Sequence, residues 1–451
     1  MEHMAPVKSY RDYWKIYIEI GLLTMLCVTQ YFGITLGNLA LTCCVLGLHL
    51  LMSDMDESVI GLFCALPTFN LLNMRIGNIS MYYLMVFSFW LRYFMYHDWR
   101  ISKTKFMVLL LLLLIRLTSG EITETLTWFV LISVLVLTYG EDFFDRNIQQ
   151  IVLFTTIVFL ISSLAGYFML KAGKSIYVGG KVWTGKVKSI RFAGIIGDSV
   201  FFSQFCAFLA AANLTLGCHN RRYLIPGILL AGAALVMCVE SYAKTGMLLI
   251  GVCAVAAVVW LIWNRLQNKR TAVFSIMMTF GGIIGAALLV NYILTDSDNL
   301  IVQNYMTRLN GDDLLTGRMD IWVHYLTLLG DSWRSLFWSL PASDYFRPFS
   351  ISNGAFFNDP HNVFLESACL FGIVPTLCMM GLVFARMYGC FASRKGILWQ
   401  MPICVILASG FTLHGHLEFH YYTLVAIAIS FLQCRPEQTI QQDAVFEGAR
   451  L

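Results

Sequence analysis

The sequence predicts an all-α integral membrane protein that crosses the bilayer about fourteen times. Hydrophobic residues form 58% of its 451 residues and charged residues 13%, whereas soluble domains average about 45–50% and about 25%. Apolar stretches of roughly 20 residues, the length of helix that crosses a ~30 Å hydrocarbon core, recur along the whole chain. No soluble domain is indicated, so residues 1–451 are predicted to form a single membrane domain.

The predicted spans share a strongly apolar composition and a length of roughly 20 residues. They cover residues 13–32, 34–52, 58–77, 80–97, 104–119, 122–139, 150–170, 199–217, 222–239, 243–263, 272–294, 362–385, 397–413 and 417–434. The third is the least regular, because Pro67 and Asn70 interrupt it. The first follows Lys8 and Arg11 and has no small-residue cleavage site after it, so we expect a retained signal-anchor helix.

Basic residues between the spans predict the orientation of the chain. Four basic clusters fall on one face if the N-terminus is cytoplasmic, at 100–105, 221–222, 265–270 and 386–395. Cytoplasmic loops of membrane proteins carry an excess of lysine and arginine. We therefore expect both termini in the cytoplasm and two large loops on the outer face, 171–198 and 295–361. Neither loop contains any of the thirteen cysteines, so no disulfide framework is predicted.

The outward loop 171–198 is strongly cationic, although lysine and arginine are normally sparse on that side. It carries six basic residues from Lys171 to Arg191 and no acidic residue before Asp198. A cationic outer loop predicts an anionic substrate, and a lipid-linked diphosphate is the leading candidate. The alternative is general binding of lipid headgroups by lysine side chains. The candidate substrate-binding residues of this loop are Lys181, Lys186 and Lys188.

Two patterns suggest ligands that we do not predict. Residues 180–187 nearly match a phosphate-binding loop, but Val187 replaces the hydroxyl residue that would hold Mg²⁺. His416 and His420 have the i, i+4 spacing that zinc accepts, but the metalloprotease order of residues is absent. A polar rim around the site is the preferred interpretation of these histidines. We expect no metal, no cofactor and no nucleic acid.

Three basic residues mark the outward ends of later spans. Arg191 precedes one span, Lys244 lies in the turn between two others, and Arg318 opens the amphipathic part of the large loop. Arginine suits bidentate recognition of phosphate, and a lysine in apolar surroundings needs a partner. For Lys244 the alternative is a simple ion pair with Glu240.

Residues 318–326 predict a short amphipathic helix. Met319, Trp322 and Leu326 are spaced i, i+3, i+7, so they share one helix face. Trp333 and Trp338 follow, and indole rings are enriched where membrane meets water. We expect this helix to lie at the membrane interface. The alternative is a packing helix without a role in chemistry.

His361 and Asn362 stand at the entry to the next predicted span. An imidazole can exchange protons near neutral pH, so His361 is a candidate general base. The alternative is a histidine that is merely hydrogen-bonded at the interface.

Taken in order, four motifs resemble those of the O-antigen ligase/polymerase superfamily of bacterial polysaccharide assembly. They are R-x-x-G from Arg191, an S-x-x-[KR]-[ST]-G-like turn at 241–246, G-R-x-x-x-W at 317–322 and H-N-x-[FY]-L at 361–365. The resemblance extends from Arg191 to about Gly381. Lys244 stands where ligases often have arginine, and this difference and the long 171–198 loop favour a polymerase.

The resemblance implies a helical bundle in the bacterial cytoplasmic membrane with its active site on the periplasmic side. It also implies a metal-independent glycosyltransferase that cleaves the sugar–diphosphate bond of a polyprenyl-diphosphate-linked oligosaccharide, without a cofactor. Membrane lipid and a chain-length regulator protein are the other partners it implies. The product would be an O-antigen-type or capsule-type polysaccharide of the cell envelope.

The resemblance also implies roles for particular residues. Arg191, Lys244 and Arg318 would stabilise the departing diphosphate, and His361 would act as the base for the attacking hydroxyl or bind phosphate. Asp198 and Asp320 are weaker alternatives for the base. Contacts to the diphosphate or glycan are expected from Asp320, Trp322 and Asn362.

Two further functions remain open from the sequence. A ligase of the same superfamily would transfer finished glycan to lipid A–core. A transporter or flippase of lipid-linked glycan would have inverted repeats, broken helices and charges near mid-membrane, whereas the charges here lie mostly near the outer ends of the spans.

Overall fold

The structure, a computed structural model, is mainly α-helical in the part of the chain that it describes. The described residues are 13–52, 54–72, 75–76, 79–117, 122–174, 177–178, 181–182, 192–220, 222–241, 243, 245–246, 248–253, 318–341, 344, 349–350, 356–357, 360–392, 397–411 and 419–433.

The helices of the N-terminal half pack against one another from the first span onwards. They are α1 (Trp14–Phe32), α2 (Thr35–Leu51), α3 (Met55–Cys64), α4 (Phe69–Leu72), α5 (Met81–Tyr96), α6 (Lys103–Leu117), α7 (Ile122–Thr138), α8 (Asp142–Asp145) and α9 (Ile148–Lys171).

The helices that follow carry most of the sequence motifs. They are α10 (Ser199–His219), α11 (Leu224–Glu240), α12 (Arg318–Gly330), α13 (Val363–Phe371), α14 (Ile373–Ala392), α15 (Met401–Gly410) and α16 (Phe419–Gln433). Short 3₁₀ helices cover Leu66–Thr68, Trp333–Leu336 and Ile397–Gln400.

Three antiparallel ladders of two residues per strand interrupt the helices. They pair β1 (Arg75–Ile76) with β2 (Ile79–Ser80), β3 (Tyr177–Val178) with β4 (Lys181–Val182), and β5 (Phe349–Ser350) with β6 (Phe356–Phe357).

Within the described residues, four helical segments are long and apolar enough to cross a membrane. They are Met55–Leu72, Ile148–Lys171, Ser199–His219 and Ile373–Cys390. Other predicted spans correspond to apolar helices of 10–17 residues, such as Thr35–Leu51 and Leu224–Glu240. The predicted spans at 243–263 and 272–294 lie largely or wholly outside the described residues.

The third predicted span is broken where its sequence is irregular. Helix α3 ends at Cys64, a 3₁₀ turn contains Pro67, and α4 carries Asn70. The Asn70 side chain donates hydrogen bonds to the carbonyl oxygens of Ile196 at 2.6 Å and Ile195 at 3.4 Å. The break therefore anchors the loop that leads into α10.

The predicted span 362–385 is two helices instead of one. The chain breaks at Gly372, whose φ of 97° suits glycine and whose α-carbon leaves no room for a side chain. A Cβ built there would lie 2.6 Å from the Trp338 amide nitrogen. The backbone amide of Leu340 donates to the carbonyl oxygen of Cys369 at 2.7 Å. Residues after α12 therefore pack directly into the break between α13 and α14.

Ion pairs gather at one end of the bundle, which we call the charged end. It contains the pairs Lys15–Glu57, Arg146–Asp56 and Lys105–Glu141. The hydrogen bonds of Asn70 lie at the opposite end, at the far termini of the same helices. These contacts agree with helices that run alternately up and down. The motifs at 241–246, 318–322 and 361–365 all lie at the opposite end, which we call the site end.

Candidate functional site

Helix α12 places Arg318 one turn from the His361 segment. Arg318 is the first residue of the helix and Trp322 is one turn further on the same face. The indole nitrogen of Trp322 donates a hydrogen bond to the carbonyl oxygen of Pro360 at 3.1 Å. The motifs G-R-x-x-x-W and H-N-x-[FY]-L, distant in sequence, are therefore in direct contact.

Arg318 is half-buried and has no hydrogen bond or ion pair to another described residue. Burial lowers the pKa of its guanidinium, because the charged form loses hydration. Asp320, two residues on, is exposed. The guanidinium is partly desolvated, so an anion bound there would restore the interactions it has lost.

The other side of α12 explains how the helix is held. Ile321, Tyr325 and Leu329 are buried at i, i+4, i+8, and α12 packs on α13. Met319 and Leu326, which the sequence placed on the apolar face, are exposed instead. The helix was predicted correctly, and the predicted apolar face is the one that the protein leaves uncovered.

His361 occupies a left-handed backbone conformation with φ of 46°, which is uncommon for residues other than glycine, although asparagine, aspartate and histidine adopt it more often than the rest. It is half-buried, and Pro360 before it is buried. Asn362 after it caps α13, since its Oδ1 accepts from the amides of Phe364 at 3.0 Å and Leu365 at 3.1 Å. His361 is thus fixed between two restrained neighbours at a helix N-terminus.

Two residues predicted to contact substrate also have structural partners. The side-chain oxygen of Asn362 caps α13, and the N–H of Trp322 binds the Pro360 carbonyl. Their contacts to substrate stay predictions. Both residues hold His361 in place, and neither of these polar atoms is available for a second strong hydrogen bond.

Asp198, an alternative candidate base, also has a structural partner. Its Oδ1 accepts hydrogen bonds from the amides of Val200 at 2.7 Å and Phe201 at 3.1 Å, so it caps α10. Asp198 therefore has a structural role as the cap of α10, and its role as a base stays a prediction.

The turn at 241–246 packs against the first turns of α10. A Cβ built on Gly246 would lie 2.9 Å from the Ser203 Cβ, and the Cys238 thiol donates to the Ser203 carbonyl at 3.5 Å. Ser241 is fully buried and its hydroxyl donates to the Cys238 carbonyl oxygen. Lys244 itself lies outside the described residues, whereas Gly246, two residues later, packs against α10.

Helix α15 connects α10 to α13. The Gln204 side chain donates to the Ser409 hydroxyl at 2.7 Å, and both residues are fully buried. Next along α15, a Cβ built on Gly410 would lie 3.1 Å from the Phe364 ring, which also packs on Phe411 at 4.9 Å. A continuous series of contacts thus joins the 241–246 turn, α10, α15, α13 and α12.

The loop before α10 is fixed from residue 192 onwards. Phe192 is buried and packs edge-on against Tyr167 and Phe202. Gly194 has φ of 54° and contacts Gly166 of α9 closely, since a Cβ on Gly166 would lie 2.8 Å from its backbone. The R-x-x-G motif therefore ends in a tight helix contact.

The cations of the 171–198 loop fall mostly outside the described residues. For Lys181 the structure describes the backbone, in β4, whereas Lys186, Lys188 and Arg191 lie outside. The predicted convergence of Arg191, Lys244 and Arg318 on one pocket remains a prediction.

The histidine group near residue 416 also lies largely outside the described part, which does not include the side chains of His414, His416 and His420. Within the residues that the structure describes, no group of three histidine, cysteine or acidic side chains could hold a metal ion.

Sequence reasoning missed Gln204. Its side-chain oxygen is buried and accepts no hydrogen bond from a described residue, although its nitrogen is engaged by Ser409. The available signal was an uncharged polar residue inside an apolar span, six residues after the Asp198 cap.

No family model, no curated protein and no solved structure matches this chain.

Proposed function

We propose that this protein is a polysaccharide polymerase of the bacterial cytoplasmic membrane, with about fourteen spans and both termini in the cytoplasm. At its outer face it transfers glycan from a polyprenyl-diphosphate carrier to a lipid-linked repeat unit. The coarser property, a mainly helical chain with apolar helices of membrane-spanning length, is observed. The reaction and its orientation rest on the motifs and on the site end described above.

Arg318 is the observation that carries the proposal. A half-buried guanidinium with no described partner is suited to an anion that arrives with the substrate. A diphosphate provides several acceptor oxygens for charge-assisted hydrogen bonds. Structural arginines at the charged end behave differently, since Arg146 already binds Asp56.

The contacts between motifs support a single site. Trp322 binds Pro360, Phe364 packs on Gly410, and Gln204 binds Ser409. A glycosyl transfer needs a cation and a base close to one reacting centre. Arg318 and His361 belong to segments that the Trp322–Pro360 hydrogen bond joins, which supports a shared site.

The proposed chemistry is a displacement at the anomeric carbon of the donor. The acceptor hydroxyl oxygen forms a bond to that carbon, and the bond between the carbon and the diphosphate oxygen breaks. The hydroxyl proton passes to the imidazole of His361, and the electron pair leaves on the diphosphate. Arg318, with Arg191 and Lys244 as proposed partners, stabilises the negative charge that develops there.

The test is polymerisation by purified protein in vesicles that contain the polyprenyl-diphosphate-linked repeat unit, read as a glycan ladder on a gel. Arg318→Ala should reduce the rate by about 10²-fold or more, as loss of one charge-stabilising donor does. Arg334→Ala is the matched control, because Arg334 is exposed and lies close by in the same loop. Equal activity of both variants would contradict the proposal.

Gene deletion separates the polymerase from the alternatives. Glycan capped with a single repeat unit is the result expected for a polymerase. Full-length polymer that accumulates on the carrier would identify a ligase. Repeat units retained on the cytoplasmic leaflet would identify a transporter.

A further inference from the structure

A buried carboxyl group without a hydrogen-bond partner among the described residues lies in the N-terminal half, away from the candidate site. Glu19 of α1 is fully buried, and neither of its carboxylate oxygens has a hydrogen-bond partner among the described residues. The carboxyl group lies against Gly61 of α3, where a Cβ would come within 2.6 Å of Oε2 and 3.1 Å of the Met52 sulfur. The absent side chain of Gly61 therefore makes the space that the carboxyl group fills.

The cations closest in sequence and fold have other partners. Lys15, one turn before Glu19, pairs with Glu57 at 2.9 Å. The guanidinium of Arg92 donates to the carbonyl oxygen of Leu50 at 2.6 Å. No described cation neutralises a charge on Glu19.

The titratable groups that face Glu19 are a thiol and a phenol, neither of which can carry a positive charge. The Cys64 thiol of α3 and the Tyr82 phenol of α5 interact with it electrostatically. Tyr82 donates its proton to a backbone carbonyl at 2.7 Å. His49 of α2 is also buried, and the charge that acts on it is that of Arg92. These neighbours offer a carboxylate neither an opposite charge nor the set of oxygens that a metal cation needs.

We propose that Glu19 is a proton-binding site, and that its carboxyl group carries a proton at neutral pH. An ionised carboxylate is strongly disfavoured where it has lost water and gained no partner. The sequence predicts that α1 spans the membrane, and ionisable residues inside membrane helices commonly mark functional sites. The ligand of this site is therefore a proton, taken up from water.

The Lys15–Glu57 pair lies between Glu19 and the charged end of the bundle. Lys15 precedes Glu19 by four residues on α1, and Glu57 precedes Gly61 by four residues on α3, so the pair lies one helical turn nearer the charged end. A proton from water at that end of the helices, the nearer one to Glu19, converts the carboxylate to the acid.

Labelling with dicyclohexylcarbodiimide, which dissolves in lipid, tests the proposal. The O–H of a protonated carboxyl adds across a C=N bond of the reagent, and rearrangement leaves a stable N-acylurea that peptide mass spectrometry locates. At pH 7 the peptide that contains Glu19 should be labelled in the wild-type protein and not in Glu19→Gln.

Infrared spectroscopy tests the same proton without reagent access. The difference spectrum between wild-type protein and Glu19→Gln at pH 7 should contain the carbonyl stretch of one protonated carboxylic acid. The Gln side chain has nearly the same shape, so the fold is preserved. A difference spectrum with carboxylate bands alone would overturn the proposal, whatever the labelling result. Neither measurement depends on glycan polymerisation.

Discussion

Trp322 and Pro360 are joined by a hydrogen bond of 3.1 Å across 38 residues of chain. The donor lies on the same face of α12 as Arg318, and the acceptor carbonyl belongs to the peptide group that immediately precedes His361. One side-chain N–H thus sets the position of the candidate base relative to the candidate cation. Substitutions in this segment should affect catalysis through position, even where they remove no reacting group.

Replacing Trp322 with phenylalanine removes the N–H donor and keeps an aromatic ring. Glycan polymerisation should slow by about 10-fold or more, because small misplacements of catalytic groups are costly. The Michaelis constant should change less than the turnover rate. Trp333→Phe is the control, since Trp333 is exposed. Equal turnover in both variants would show that the Trp322 hydrogen bond does not position His361.

Substitutions of His361 separate strain from chemistry. His361→Ala should lose about 10²- to 10⁴-fold in rate if the imidazole is a general base. His361→Arg should retain activity only if the residue binds phosphate as a cation. His361→Gly should raise the thermal unfolding midpoint, because glycine relieves a left-handed conformation that costs on the order of 1 kcal/mol, while activity stays low. An active alanine variant would exclude both roles.

Asn362 is predicted to act through the helix cap. Asn362→Ala should lower the unfolding free energy by about 1 kcal/mol, whereas Asn362→Ser should retain most of it because serine also caps helices. Asn362→Asp keeps the cap but adds negative charge near the proposed diphosphate, so it should weaken substrate binding. Thermal unfolding and binding measurements on the three variants distinguish a cap from a direct ligand. A fully stable alanine variant would argue against the cap.

Gly372 and Gly381 form a matched pair close together in the same part of the chain. A Cβ at Gly372 would meet the backbone of Phe337 and Trp338 at 2.6–2.7 Å, and the φ is 97°, whereas nothing lies within 4 Å of a Cβ at Gly381. Gly372→Ala should lower the unfolding temperature, because overpacking and backbone strain would each destabilise the folded state by about 1–3 kcal/mol. Gly381→Ala should be neutral or slightly stabilising. Similar unfolding temperatures would contradict the packing at the break.

Charge reversal tests the cationic loop. Replacing Lys181, Lys186 and Lys188 together with glutamate should weaken substrate capture more than turnover, since exposed charges mainly steer encounter. The effect should be largest at low salt, where screening is least. Unchanged capture at low salt would mean that these lysines contact lipid headgroups alone.

Hydrophobic periodicity predicted much of the helical framework, because span length and apolar composition are local properties of the chain. The predicted spans 150–170 and 199–217 correspond to the observed helices Ile148–Lys171 and Ser199–His219. The break at Gly372 was missed, since its cause lies 34 residues earlier, at the Trp338 amide. No pattern within the predicted span reveals that contact.

The candidate site was predictable in part. Charge and motif order identified Arg318 and His361, and the structure brings their segments together through Trp322. The roles of Asn362 and Asp198 as caps depend on local backbone geometry that the motif reading left aside. The sequence did not identify Glu19 as a candidate site. An acidic residue in the first turns of a predicted span is not unusual, and its burial and lack of a described partner are seen only in the tertiary structure.

Helix α3 and its broken continuation span the whole distance between the two sites discussed above. Gly61 receives the Glu19 carboxyl group, and Asn70, nine residues later, holds the Ile195–Ile196 carbonyls just after Arg191. A substrate that shifts this loop would also shift α3, the helix whose Gly61 packs against the Glu19 carboxyl group. By thermodynamic linkage any such influence is mutual: whatever factor substrate imposes on proton affinity, the proton imposes on substrate affinity. Under the proposed function, the proton concentration outside the charged end would then act on how tightly the site end holds glycan.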